Sequence, residues 1–207
     1  MKTLFIPAKS KSKVNKLKLL EISKKLPEDI AIVYSIQYKD IADEIKNILS
    51  NKHKITKFAQ VLGCFKLLIP KQTNAILLIA DGKFHAVSLG LETKLPIYIL
   101  NNNSFNQISK KEIETLEKKQ KAAYIKYLNS KKIGILISTK PGQENLERAI
   151  KFRNRVKEKK SYLFLGDNID LNEFENFPQI QSWVNTACPR LDMNAGMVNI
   201  RNIKFKD

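Results

Sequence analysis

Cysteine and glycine are both scarce in this sequence, which has two cysteines and seven glycines among 207 residues. Two cysteines in a chain of this length do not form the disulfide framework of a small secreted domain. No apolar run approaches the roughly 20 residues that span a bilayer. The opening stretch MKTLFIPAKSKSK lacks the apolar core and small-residue cleavage site of a signal peptide. We therefore expect a cytoplasmic protein with no membrane partner.

Several catalytic and cofactor motifs are also absent. The sequence has neither GxGxxG nor GxxxxGK(S/T), which are typical of dinucleotide-binding folds and of P-loops. It also lacks HExxH, GxSxG and CxxC, which excludes the usual zinc protease, serine hydrolase and thioredoxin sites. His85 could pair with Cys64 or Cys188 as base and nucleophile, but the spacing of these residues gives that hypothesis no support.

Positive charge is abundant, because 37 Lys and Arg residues against 20 Asp and Glu residues give a formal net charge of +17 at pH 7. Clustered Lys and Arg neutralise phosphates, but the lysines here are spread over many predicted helices, as is typical of solvated surfaces. An RNA-binding α/β protein would need a contiguous basic face with aromatic residues, which the sequence does not show. The charge therefore permits an acidic partner, and nucleic acid binding is not expected.

Short apolar runs alternate with helical patterns along the whole chain. The runs predict strands at 3–8, 29–36, 54–58, 75–81, 96–100, 132–139, 162–167 and 182–187. The intervening patterns predict helices at 12–26, 38–50, 84–93, 109–130, 143–160 and 170–176. Such alternation is typical of parallel sheets with right-handed crossovers. We predict an α/β fold of two similar small domains, each a parallel β-sheet flanked by helices in a Rossmann-like topology.

The polar stretch NNNSFNQ (101–107) marks the predicted boundary between these two domains. The first domain then covers residues 1–104 and carries Cys64, and the second covers residues 105–207 and carries Cys188. The chain is long enough for either one large domain or two small ones, with ample core in both cases.

Unusual residues follow several of the predicted strands, in the segments Ser35–Gln37, Asp81–His85, Thr139–Gln143 and Cys188–Arg190. Open parallel sheets bind ligands beyond the carboxyl ends of their strands, so these segments predict a polar cleft. Taken singly they have simpler explanations, because a lone cysteine is most often a buried apolar residue and KPGQ is a common turn. Cys188 is harder to dismiss, because Pro189 ends the strand and leaves the thiol free to face a cleft.

Taken together, the motifs resemble a known family. The segments QVLGCFK (60–66), DGKFHAVSLGLETKLPIYIL (81–100), ISTKPGQENLERAIKF (137–152) and WVNTACPRLD (183–192) carry the resemblance, with YSIQY (34–38) as a further match. They are similar, in order and separation, to signatures of the archaeal 2-(3-amino-3-carboxypropyl)histidine synthase family, which begins diphthamide synthesis. The resemblance runs from Thr3 to about Lys204.

The resemblance implies an enzyme of three similar α/β domains around a central site. Each domain provides one cysteine, and the three thiolates hold a 4Fe–4S cluster whose open iron site binds S-adenosylmethionine. This family breaks the bond between sulfur and the methionine γ-carbon, and adds the resulting 3-amino-3-carboxypropyl radical to a histidine of translation elongation factor 2. The resemblance covers the second and third domains of that enzyme.

The resemblance also implies roles for individual residues. Cys64 and Cys188 match the second and third cluster ligands. Arg190 would pair with the carboxylate of S-adenosylmethionine through its fork of donors. The positions that would orient the amino acid part of this substrate are Gln143, His85 and Gln37. The resemblance assigns no catalytic side chain beyond the cluster ligands.

The sequence also departs from the family pattern. The first domain and its cysteine have no counterpart, Lys83 and Ala86 replace an arginine and a proline, and the chain ends soon after Arg190. We therefore expect one subunit of a split synthase, with a separately encoded first-domain subunit that supplies the third cysteine, assembled as a dimer of heterodimers. The alternative is a degenerate, non-catalytic paralogue that acts as a scaffold or binds the elongation factor. The intact LGC and NTACPR motifs argue against it, because a scaffold has no need of both thiols.

Overall fold

The computed structural model describes residues 4, 6, 8–11, 13, 15–62, 67–101, 104–193 and 196–204. The chain divides into two compact units, Met1–Glu114 and Thr115–Asp207. No helix among the described residues is both long and apolar enough to cross a membrane.

The first unit is built on a five-stranded sheet with the order β2-β1-β3-β4-β5. Its strands are β1 (Asp29–Tyr34), β2 (Lys54–Gln60), β3 (Ala75–Ile79), β4 (Ile97–Asn101) and β5 (Ser104–Gln107). The first four are parallel, and β5 runs antiparallel to β4. The central strands β1 and β3 are covered on both faces, which explains why their sequences are continuous apolar runs rather than alternating ones.

The helices of this unit are α1 (Lys16–Ser23), α2 (Lys39–Leu49) and α3 (Phe84–Thr93). Helix α2 connects β1 to its neighbour β2, and its buried residues Ala42, Ile45 and Leu49 recur at helical spacing on the side that packs against the sheet. Helix α1 begins at Asn15, whose side chain caps it by accepting a hydrogen bond from the Lys18 amide at 3.1 Å. Each helix therefore forms where its apolar spacing can be buried.

The second unit has a four-stranded, entirely parallel sheet with the order β7-β6-β8-β9. Its strands are β6 (Lys132–Ser138), β7 (Lys160–Gly166), β8 (Ser182–Asn185) and β9 (Val198–Asn199). Helix α4 (Lys110–Asn129) leads into β6, and α5 (Leu146–Arg155) connects β6 to β7. Short 3-10 helices lie at Ile36–Tyr38, Leu171–Asn176, Pro189–Met193 and Ile200–Asn202.

The predicted fold class is confirmed, since helices flank two sheets dominated by parallel strands. The predicted strand at 3–8 is wrong at positions 4, 6 and 8, which lie in no strand. The side chains of Leu4 and Ile6 are 82% and 79% exposed, so these apolar residues are not buried as the side chains of a core strand would be. Positions 3, 5 and 7 lie outside the described residues. The predicted helix at 170–176 is a 3-10 helix.

The polar stretch 101–107 is strand rather than a linker at each of its described residues, 101 and 104–107. Its residues Ser104–Gln107 form β5, and the Phe105 ring stacks on Tyr98 of β4 with 5.3 Å between ring centroids. The division at 104/105 that the sequence suggests falls inside this strand, whereas the structure divides between Glu114 and Thr115 within α4. A cross-strand aromatic pair of this kind adds to the pairing of an edge strand whose own sequence is polar.

Gly134 in β6 is required by the packing of the second unit. A Cβ atom there would lie 2.4 Å from two ring carbons of Trp183 in β8 and 3.1 Å from Cε2 of Phe164. The Trp183 ring is itself held by Phe174, which stacks on it at 4.2 Å, and by Phe164 at 4.7 Å. The aromatic cluster cannot move aside without losing these contacts.

We expect Gly134→Ala to lower the free energy of unfolding by about 1–3 kcal/mol, the usual cost of overpacking a core. Urea unfolding followed by circular dichroism measures the change. Gly196→Ala is the matched control, because a Cβ atom there meets no atom of the described structure within 4 Å beyond its chain neighbours. Equal stability of the Gly134 variant and the parent would show that the aromatic cluster repacks freely.

Candidate functional site

Each sheet has a topological switch point, where strands are added on opposite sides of the first strand, and open α/β sheets form a crevice there at the carboxyl ends of the strands. In the first unit this point lies between β1 and β3, because β2 and β3 are added on opposite sides of β1. Gln37 follows β1 and His85 follows β3, so both residues lie beyond the carboxyl ends of the two strands that border this crevice. Ligands of doubly wound sheets bind at such points.

A hydrogen bond spans the crevice of the first unit. The buried Tyr38 hydroxyl donates to Oδ2 of Asp81 at 2.5 Å. Burial raises the pKa of Tyr38 to about 12, and the hydrogen bond and negative charge of Asp81 act in the same direction. Tyr38 therefore remains a proton donor at neutral pH. The backbone beside it is fixed as well, because the Ser10 amide donates to the Gln37 carbonyl at 2.8 Å.

His85 lies in the first turn of α3, partly exposed, with its ring edge-on to Phe84 at 4.9 Å. It lines a pocket of about 60 Å³ together with Gln60, Val61, Leu62, Leu67, Ser88, Leu89 and Glu92. Leu62 and Leu67 are the described residues that come directly before and after positions 63–66 in the sequence. Cys64 itself lies outside the described residues.

Lys83, which replaces an arginine of the resembled motif, forms an ion pair. Its Nζ lies 2.6 Å from Oε1 of Glu112 in the first turn of α4. Hydrogen bonds from Lys83 and from Ser109 lower the pKa of Glu112 to about 2. Ser109 and Glu112 also cap α4 reciprocally, because each side chain accepts a hydrogen bond from the other's backbone amide. Lys83 is thus engaged with the start of α4.

The second unit has the same kind of crevice, between β6 and β8. Gln143 follows β6 in a turn closed by its amide, which donates to the Lys140 carbonyl at 3.0 Å. Gly142 has φ +77°, so Pro141 and Gly142 occupy the positions that a type II turn requires. Nδ2 of Asn145 donates to the Thr186 carbonyl at 2.9 Å and joins this loop to the one that follows β8.

Cys188 lies on the loop after β8 as a free, partly exposed thiol. Its carbonyl accepts hydrogen bonds from the Leu191 amide at 3.1 Å and from Nδ2 of Asn185 at 2.9 Å. Arg190 is exposed in the short 3-10 helix that begins directly after the cysteine. The structure therefore places Cys188, Arg190 and Gln143 in loops that follow two adjacent strands of one sheet.

A buried polar network lies beside this loop. The Asp192 carboxylate accepts hydrogen bonds from Asn185 Nδ2 at 2.7 Å and from Asn199 Nδ2 at 2.8 Å, and all three residues are buried. Burial raises the pKa of Asp192 to about 6, although the two amide donors and the charge of Arg201 oppose the shift. This carboxyl group therefore ionises close to neutral pH.

Sequence reasoning missed this network, although one signal was present. The dipeptide Val-Asn occurs at Val14–Asn15, Val184–Asn185 and Val198–Asn199, and in the last two copies an apolar residue precedes it. These last two copies pair in register between β8 and β9. Asparagine at the buried end of a strand needs hydrogen-bond partners, so a repeated pair of this kind predicts a shared polar contact.

The six residues proposed from the sequence are thus distributed over the two units. Gln37 and His85 lie at the first crevice and Cys64 follows β2 outside the described residues, whereas Gln143, Cys188 and Arg190 lie at the second. Among the residues that the structure describes, no group of three or more His, Cys, Asp or Glu side chains could hold a metal ion. The ligand and substrate roles of all six remain predictions.

Comparison with known proteins identifies relatives over nearly the whole chain. A family profile described as "Putative diphthamide synthesis protein" matches residues 1–197. The chain is 27% identical over 209 aligned residues to the 2-(3-amino-3-carboxypropyl)histidine synthase of Pyrococcus horikoshii, covering 93% of this chain and 60% of that protein. It is 29% identical over 209 residues to the protein of that name from Methanocaldococcus jannaschii, with coverages of 92% and 56%.

Solved structures agree with this. The crystal structure of Dph2 from Pyrococcus horikoshii aligns with this chain with a TM-score of 0.77 and 23% sequence identity. The alignment covers 92% of this chain and 61% of the Dph2 chain. The crystal structure of Dph2 with a 4Fe–4S cluster has a TM-score of 0.75 at 23% identity, with coverages of 90% and 60%. At this identity the likeness shows the fold. The chain spans about three fifths of the length of these relatives.

We expect Asp192→Asn to change how stability depends on pH. The folded-state pKa of Asp192, about 6, lies above its unfolded value near 4. The group therefore stabilises the fold below about pH 4, and this contribution, at most about 3 kcal/mol, is lost as the pH rises through 6. Urea unfolding at pH 3.5, 5 and 7 should show the parent losing stability relative to the variant.

The matched control is Glu144→Gln, which removes an exposed carboxyl from the same unit and should follow the parent at each pH. A constant difference between the parent and Asp192→Asn from pH 3.5 to pH 7 would contradict the raised pKa.

Proposed function

The chain belongs to the diphthamide synthesis protein family, and we propose that it supplies two cysteine thiolates to an enzyme that modifies a histidine of translation elongation factor 2. The proposed reaction transfers the 3-amino-3-carboxypropyl group of S-adenosylmethionine to the imidazole ring. The observation that carries the proposal is the position of Cys188, a free and partly exposed thiol at the crevice of a parallel sheet.

The residues present fit an iron–sulfur cluster in donor chemistry. Cysteine thiolates are the usual ligands of 4Fe–4S clusters. The Cys188 thiol is partly exposed on a loop whose backbone is held by the Leu191 amide and Asn185. We propose Cys64 as the second ligand, on the family resemblance of its LGC motif. The two cysteines of the 207 residues are fewer than the three thiolates that the resemblance implies.

A 4Fe–4S cluster held by these cysteines would supply the electron for cleaving the bond between sulfur and the methionine γ-carbon. The residues of this chain would bind and orient the substrate. Arg190 stands exposed two positions after Cys188, where its planar guanidinium can pair with the substrate carboxylate at two points. Gln143, His85 and Gln37 would accept or donate hydrogen bonds to the amino acid part of S-adenosylmethionine.

We propose that the third thiolate comes from a separately encoded first-domain subunit. Support comes from the cysteines, since these 207 residues contain two and the resemblance implies three thiolates. The subunits would assemble as a dimer of heterodimers in the cytoplasm. The net charge of +17 would raise the rate of encounter with an acidic protein substrate such as the elongation factor.

We expect Arg190→Lys to reduce turnover at least about tenfold while leaving the iron content unchanged. Lysine keeps the charge but loses the two-point fit to a carboxylate, and a charge-assisted hydrogen bond contributes about 1.5–3 kcal/mol. The measurements are modified elongation factor by mass spectrometry and iron per chain after anaerobic reconstitution. Arg153→Lys, an exposed substitution in α5, is the matched control. Equal turnover of Arg190→Lys and the parent would remove Arg190 from the substrate site.

We expect this chain alone to hold iron poorly, because one thiolate is missing. Adding the candidate first-domain subunit should stabilise the cluster and start modification of the elongation factor. Anaerobic reconstitution with and without that subunit, followed by absorbance near 400 nm and by protein mass, tests this. Cys64→Ser and Cys188→Ser should each abolish the gain.

Full activity of the isolated chain would refute the split enzyme. The non-catalytic scaffold would be favoured if the cluster loads with every candidate partner but the elongation factor is never modified.

A further inference from the structure

The peptide groups on both sides of Cys188 are held by one side chain. Asn185 is completely buried at the end of β8. Its Oδ1 accepts a hydrogen bond from the Ala187 amide at 2.8 Å, and its Nδ2 donates to the Cys188 carbonyl at 2.9 Å. The segment between these two contacts contains the cysteine, so its backbone cannot shift without breaking one of them.

Asp192 determines which way round the Asn185 amide lies. Its two carboxylate oxygens accept from Asn185 Nδ2 at 2.7 Å and from Asn199 Nδ2 at 2.8 Å. A carboxylate offers only acceptors, so the nitrogen of Asn185 must point towards Asp192 and the Cys188 carbonyl. The reversed amide would place an oxygen against both of these acceptors.

Asn199 fixes the other end of the network. Its Oδ1 accepts from the Arg201 amide at 3.0 Å, which leaves its nitrogen for Asp192. Each amide therefore has its orientation determined by a backbone group on one side and by the carboxylate on the other. A fully satisfied buried network of this kind holds a single arrangement.

We infer that Asn185 and Asp192 are positioning residues for Cys188: Asn185 holds the backbone of the cysteine loop, and Asp192 holds Asn185. This inference rests on the proposed function where it treats Cys188 as a cluster ligand. A ligand loop that is fixed before the metal binds loses less conformational entropy on binding. Hydrogen-bonding groups around metal ligands typically change metal affinity by about 10–100-fold.

Two isomeric double substitutions separate positioning from general stability. Asp192→Asn with Asn199→Asp moves the carboxylate to position 199. Every donor then still meets an acceptor, and the bond from Asn185 to the Cys188 carbonyl is retained. Asp192→Asn with Asn185→Asp moves the carboxylate to position 185 instead. It retains the bonds to the Ala187 amide and within the network, but sets a carboxylate oxygen against the Cys188 carbonyl.

Both double variants keep the net charge and composition of the parent. The readouts use the iron-free full chain: the rate of Cys188 alkylation by iodoacetamide, followed by peptide mass, and deuterium uptake of residues 186–192. We expect the 192/199 exchange to match the parent within about twofold. We expect the 185/192 exchange to alkylate at least about fivefold faster and to take up deuterium faster. Equal values for the two exchanges would overturn the inference.

If either exchange does not fold, single truncations make the same distinction. Asn199→Ala leaves the contacts from Asn185 to Cys188 and Asp192 in place, and Asn185→Ala removes both. Faster alkylation in Asn185→Ala than in Asn199→Ala supports positioning, and equal rates contradict it. Iron per chain in the reconstituted complex should fall in the 185/192 exchange. Iron content insensitive to Cys188→Ser would refute the cluster role, whereas the alkylation result stands independently of iron.

Discussion

The arrangement of the second unit's crevice depends on hydrogen bonds to one acceptor, the carbonyl oxygen of Leu136. It accepts hydrogen bonds from both the amide and the hydroxyl of Thr186, at 3.2 and 2.7 Å. The pairing of β6 with β8 is thereby extended one residue beyond the end of β8, to a point two residues before Cys188. The Thr186 carbonyl then accepts from Asn145, which ties the loop after β6 to the cysteine loop. Both halves of the crevice are fixed relative to one strand.

The same sheet order occurs in both units, β2-β1-β3-β4 in the first and β7-β6-β8-β9 in the second. In each case a glutamine follows the strand that leads into the first crossover, Gln37 after β1 and Gln143 after β6. The cysteines do not correspond in this way, because Cys64 follows the edge strand β2 and Cys188 follows β8. The two units therefore share one sheet order but carry their cysteines after strands that do not correspond.

The alternation of apolar runs and helical spacing predicted the parallel strands β1–β4 and β6–β8, because buried central strands such as β3 are continuous in hydrophobicity, but it predicted neither β5 nor β9. The edge strand β5 was not predictable in this way, because its sequence SFNQ has one apolar residue, Phe105, which stacks on Tyr98 of β4. The cysteine, glutamine and arginine positions were proposed from family motifs. The role of Asp192 was not predicted from the sequence. It depends on a hydrogen bond from Asn199 in β9, and the spacing of residues along the chain does not indicate that contact.

We propose that Cys188 and Cys64 are ligands of one iron–sulfur cluster. An iron anomalous difference map from anaerobically grown crystals of the purified complex tests it most directly. We expect one iron cluster with direct iron–sulfur bonds to the Sγ atoms of both cysteines and of a third cysteine outside this chain. A cluster bound without Cys188, or the Cys64 and Cys188 thiols more than about 10 Å apart in the loaded complex, too far for ligands of one cluster, would contradict it.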